Sequence, residues 1–287
     1  MRVEKDRKKP ERSTMRAHSM AILGGLVFIL GLMVWVWYSA YVLHSYGSFM
    51  RTTLKVVPLP AAYVVDEVVW MRDLAELAWL AETSGLSDPY DRAYETSIRR
   101  AYIRGLADEV GVSVDDEELD SFVDEVDVEM LESLGWSKRD YQRYLAKPLI
   151  LEQTLEDSLY NLTEYQDGAY DDILALQSQY EDIGIAFPDL ALQYSQGASA
   201  DVSGWLGYLE EDELPAGYNA VWDLDVGDTV IIELEREFAL VRVYDVTFLE
   251  VNRLSVAIQE ILVNKQPLSE ILDDYIGENS LFIRLVR

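Results

Sequence analysis

The chain has 287 residues, 24 Lys and Arg against 52 Asp and Glu, a formal charge of −28, 49% hydrophobic residues and no cysteine. That length fills one large or two small domains, and the composition excludes a collagen-like, disulfide-stapled or wholly disordered protein. The charge excludes a sequence-independent grip on nucleic acid, which needs clustered cations, and the missing cysteines exclude thiolate, iron–sulfur and zinc-finger chemistry. The two histidines, His18 and His44, bracket one hydrophobic stretch, so the rest of the chain works without imidazole.

Residues 1–19 form a basic tail in which Arg2, Lys5, Arg7, Lys8, Lys9, Arg12 and Arg16 outnumber three acids. Residues 20–43, MAILGGLVFILGLMVWVWYSAYVL, then run without a charge. At about 1.5 Å per residue this run exceeds the roughly 30 Å of a bilayer core, which predicts a single transmembrane helix. The basic side would be cytoplasmic and the bulk of the chain extracytoplasmic, in a cell membrane. Residues 44–60 read as a linker, with Leu54 to Pro60 extended by its two prolines.

From Asp66 to Val128 the apolar residues recur at helical spacing, in Leu74, Leu77, Ala78, Ala81, in Tyr94, Ile98, Ala101, Tyr102 and in Leu119, Phe122, Val123, Val126, which predicts three amphipathic helices. Asp88-Pro89 opens a helix, Gly111 closes one, and Ser137 with Asp140 forms a capping box. Pro148 should kink or divide the helix expected over 138–162. Within 167–287, after Trp205, the pattern turns strand-like at 229–234, 238–244, 254–263 and 280–286. The acidic runs Asp115 to Glu118 and Glu210 to Asp212 lack the alternating spacing that wraps calcium, and no phosphate-binding glycine pattern occurs. No metal or cofactor is expected.

Segment 187–245 resembles a parvulin-type (PpiC-like) peptidyl-prolyl isomerase domain. The features in order are Phe187, Leu190, Ala191 and Tyr194-Ser195, then Gly204-Trp205-Leu206-Gly207-Tyr208-Leu209, Leu214-Pro215, Leu224 and Gly227-Asp228. Residues 61–162, with AAYVVDEVV, YIRGLADEVGVSVDDEELDSFVDEV and LGWSKRDYQRYLAKPLILEQTL, resemble the N-terminal chaperone region of the SurA, PpiD and PrsA foldases. The resemblance implies an α+β chain: a transmembrane helix, an all-α SurA-like module over 61–166, and a small parvulin-like module with an antiparallel sheet over 167–287.

Parvulins lower the barrier of an X–Pro bond in an apolar pocket walled by two His and a Cys or Asp. The resemblance puts the second His on Ala239, or on Leu240 without a gap, and the Cys or Asp on Gly197. The first His has no strand before residue 187 to carry it. Its nearest counterpart lies late, in 257–263, with Glu260 at the His position, so that a late strand would fill the place of an early one. Leu206, Leu214 and Tyr218 fall at or near the pocket floor. The implied function is a membrane-anchored chaperone that holds unfolded exported polypeptides, with a degenerate parvulin domain and no catalytic residue. The alternatives are a working isomerase and a docking subunit of an envelope or secretion complex.

Overall fold

The computed structural model describes residues 12–285 except 45, 65, 66, 134, 250, 251, 280 and 281, with side chains from Leu26 onward except those of Met130, Leu249, Asn252, Arg253 and Phe282. Residues 1–11, most of the tail assigned to 1–19, lie outside the described residues. The chain divides into two compact units, one of 1–105, 122–146 and 279–287, the other of 106–121 and 147–278. Both are α+β, each with one antiparallel sheet.

The first unit contains helices α1 (Arg12–Tyr41) and α2 (Ser48–Val56), strands β1 (Pro60–Val64) and β2 (Glu67–Trp70), and helix α3 (Met71–Thr83). Among the described residues no helix is long and apolar enough to cross a membrane, so the single transmembrane helix expected over 20–43 is corrected. One face of the last two turns packs on protein, with Val36, Ser39 and Ala40 buried and the Tyr41 hydroxyl donating to the Pro60 carbonyl at 2.5 Å, while Trp35, Trp37 and Tyr38 on the other are exposed. The extended spacer expected over 54–60 is helical up to Val56, because Met50 and Leu54 on one face of α2 are buried.

β1 pairs with β2 in a hairpin and, on its other side, with the C-terminal strand β7 (Phe282–Arg284). Met71, Leu74, Ala75 and Ala78 of α3 are buried at the spacing of one helical face. Between them Glu76 is also buried, and its Oε2 accepts from Arg51 Nη2 at 2.5 Å and from the Trp136 indole at 3.1 Å. The Arg51 guanidinium lies 3.8 Å from the centroid of the Trp79 ring. α2 is thus tied to α3 by a desolvated ion pair as well as by apolar contact.

α4 (Pro89–Val110), α5 (Asp116–Asp124), α6 (Val128–Ser133) and α7 (Lys138–Tyr141) follow. α7 starts in the expected capping box, Ser137 with Asp140. Pro148 has no N–H to give to the Tyr144 carbonyl and its ring would press on that oxygen. The chain answers with a π-helical turn, Gln142–Ala146, before α8 (Lys147–Tyr160), and Arg100 Nη1 donates to the freed Tyr144 carbonyl at 2.8 Å.

The second unit is built on a four-stranded sheet of order β3-β6-β5-β4, from β3 (Trp205–Leu209), β4 (Thr229–Glu233), β5 (Glu237–Leu249) and β6 (Asn252–Asn264). β6 lies beside β5 with Leu240 opposite Ile261 and Val241 opposite Glu260, so the late strand does fill the sheet. Both faces are covered, which is why β5 and β6 read as near-continuous apolar runs. On one face Phe238, Leu240, Ile261 and Val263 pack with Ile173 and Leu176 of α9 (Thr163–Glu181) and Phe187 and Leu190 of α10 (Phe187–Tyr194). On the other, Ala239, Val241, Val243, Val256 and Ile258 pack with Tyr218 and Val221 from a short helical turn, Tyr218–Asp223. α11 (Leu268–Glu278) follows β6. The segment expected as a further strand of this sheet, 280–286, instead supplies β7 to the hairpin of the other unit.

Candidate functional site

Successive strand residues face opposite ways, so Glu260 shares a face with Val256 and Ile258. A carboxyl group there must be hydrogen-bonded or its burial costs several kcal/mol, roughly 2–7 for an unpaired polar group. The chain leaving α10 supplies the partners. It is zipped along β6: Gln196 N–H donates to the Leu262 carbonyl at 2.8 Å, Leu262 N–H to Ser195 Oγ at 3.1 Å, and Glu260 N–H to the Gly204 carbonyl at 2.8 Å. This path carries Ser199 to Glu260, and its hydroxyl donates to Oε1 at 2.8 Å. From the turn after Pro215, the Tyr218 hydroxyl donates to Oε2 at 2.5 Å. Ser199, Tyr218 and Glu260 are all buried.

Gly204 makes the zipper possible. Its φ is +77°, and a Cβ there would stand 2.3 Å from the Glu260 carbonyl oxygen. The Tyr218 hydroxyl is pushed above its ordinary value of 10.0 by burial first, then by the hydrogen bond to Glu260 and the charge of that carboxylate. The raised folded value means that its share of stability is complete below about pH 10, where unfolded tyrosine ionises, and is lost as pH rises through the folded value. Tyr218→Phe should therefore remove one late-ionising phenol from a spectrophotometric titration and flatten the alkaline loss of stability. It should also cost about 1–3 kcal/mol at neutral pH by leaving Oε2 without a donor. An unchanged titration would show that Tyr218 is not held this way.

The structure brings the six residues singled out in the sequence to one place. Leu206 and Leu214 are half-buried against the apolar cluster that contains the Tyr218 ring. Ala239 is fully buried and pairs with Leu262. Gly197 abuts the same side chain, since a Cβ on it would lie 2.4 Å from Leu262 Cδ1. Leu262 thus lies beside both positions where the parvulin resemblance places polar groups. Tyr218, read as apolar floor, has a polar role as well. Ser199 and Leu262 were not singled out. A signal for Ser199 was the lone charge of Glu260 inside LSVAIQEILV, which demanded a buried donor from elsewhere in the chain.

Chemically, Glu260 has both oxygens engaged by hydroxyls in a dry setting, with Leu262 two residues on. That arrangement fastens segment 195–204 and the Tyr218 turn to the sheet. The acidic runs are also accounted for locally: Asp115 Oδ1 accepts from the N–H groups of Glu117 and Glu118, and Glu213 Oε2 accepts from the N–H of Glu210. Among the described residues no group of three or more His, Asp or Glu is placed to hold a metal ion. Compared with known proteins, the chain matches no family model and no curated protein.

Proposed function

We propose that the chain binds unfolded polypeptides as a chaperone and that its parvulin-like module takes part without catalysing prolyl isomerisation. The observation that carries this is the state of the three wall positions. Ala239 and Gly197 close on Leu262, and Glu260 has both oxygens engaged by Ser199 and Tyr218. Catalysis needs groups that favour the twisted amide over the planar one, and these positions offer a substrate none. Holding a chain needs only accessible apolar area. Leu206 and Leu214 supply some of it, and so do the exposed rings of Tyr208 and Tyr244, each beside the Trp205 ring or across from it.

The full chain should suppress aggregation of an unfolding client at stoichiometric amounts while accelerating X–Pro isomerisation of a peptide little above the uncatalysed rate. Turnover abolished by Leu214→Ala would make it an isomerase. Absence of both activities would leave the docking subunit.

A further inference from the structure

β4 is an edge strand, and its ladder to β5 is continuous, without the bulge that interrupts the opposite edge strand, β3, between Trp205 and Gly207. Antiparallel pairs alternate between those that exchange hydrogen bonds and those that do not. Val243 N–H donates to the Asp228 carbonyl, and Leu234 N–H to that of Glu237. Counting inward in steps of two, Val230 and Ile232 make the ladder bonds to β5. Thr229, Ile231 and Glu233 must then turn their N–H and C=O groups outward, and among the described residues nothing pairs with them.

Edges of this kind are usually blunted by a proline, a lysine or a bulge; the sequence TVIIE has none within it, the nearest bulge lying just before it, where Gly227 and Asp228 both bond Val243. The two faces of the strand differ. Val230, Ile232 and Leu234 belong to the apolar cluster around Tyr218. On the other face the Thr229 hydroxyl is bonded to the Glu181 carboxylate, Ile231 packs against the cluster of Phe238 and Leu240, and the exposed Glu233 accepts at Oε1 from the buried Lys265 Nζ at 2.8 Å. Asp225, Asp228 and Glu235 flank the strand in sequence and are exposed. A second copy of a chain of charge −28 would bring like charges together across such an edge.

We propose that β4 accepts an extended segment of a basic polypeptide as a fifth strand, with apolar residues alternating with lysine or arginine. The main-chain groups of Thr229, Ile231 and Glu233 would give affinity. The apolar residues of the segment would continue the row of Val230, Ile232 and Leu234, and its basic residues would meet Glu181 and the exposed Oε2 side of Glu233, whose Oε1 is bonded to Lys265. This rests on the polypeptide-binding reading and adds to it the class of client and the place of contact.

The test uses the full chain and a fluorescent peptide of alternating valine and lysine with blocked ends, read by anisotropy. Ile231→Pro removes an outward N–H and no ladder bond, so the sheet should persist while the peptide Kd rises at least about tenfold. A valine–glutamate peptide, and the valine–lysine peptide N-methylated at every residue, should lose at least about as much on the unaltered protein. These two peptides decide the matter even if the proline variant fails to fold. Equal binding of either one, unchanged binding by a folded Ile231→Pro, or no binding of the valine–lysine peptide would overturn the proposal. Aggregation suppression without peptide binding would refute the edge and leave the chaperone reading intact. Peptide binding without suppression would do the reverse.

Discussion

Gly204→Ala should lower the free energy of unfolding by about 3–5 kcal/mol, read as a drop in denaturant midpoint at constant slope. Two terms add. A non-glycine residue at φ +77° costs about 1–3 kcal/mol in backbone strain. The new Cβ would also stand 2.3 Å from the Glu260 carbonyl oxygen and 3.2 Å from its nitrogen, both main-chain atoms that cannot swing aside. Relief requires peeling 199–204 from β6, which breaks the Glu260 N–H bond to the Gly204 carbonyl and withdraws Ser199 from the carboxyl group. Gly207→Ala is the control, because φ is +98° there but nothing lies within 4 Å of the added carbon. If the two variants lose the same stability, the clash is not real and the zipper is looser than described.

Glu76→Leu should be similarly costly, about 3–5 kcal/mol, because it strands a charge. Arg51 has a side chain only 10% exposed, and its guanidinium is held by Glu76 on one side and by the Trp79 ring on the other. Removing the carboxylate leaves the cation desolvated and also leaves the Trp136 indole without its acceptor. Lys55, 3.5 Å from Glu76 Oε1, is 39% exposed and can turn to water or keep its bond to Asp140, so it adds little. Replacing both partners, Glu76→Leu with Arg51→Met, should recover much of the loss, since a buried ion pair exchanged for apolar groups of like volume is often neutral. Thermal melts of the two singles and the double decide it. A double mutant as unstable as Glu76→Leu would mean that the network does more than satisfy itself.

The sequence by itself determined what depends on near neighbours. The 3.6-residue periodicity placed α3, α4 and α5, and Ser137 with Asp140 placed the start of α7, because caps and amphipathic faces are made within a few residues. Pro148 announced a break and the π turn Gln142–Ala146 is its local consequence. The apolar runs at 238–244 and 254–263 announced strands, the second filling a place beside the first. Leu206, Leu214, Tyr218, Ala239 and Glu260 lie on one face of the sheet, and Gly197 abuts Leu262 there. Tertiary structure decided everything set by distant pairing. Pairing with β1 sent β7 away from the larger sheet, and near the end of α1 the side chains of Val36, Ser39 and Ala40 became buried. Ser199 reaches Glu260 across 61 positions of sequence, a contact that no local pattern encodes. Likewise the open edge of β4 exists only because β5 takes its other side, leaving alternate main-chain groups of an ordinary-looking strand facing outward.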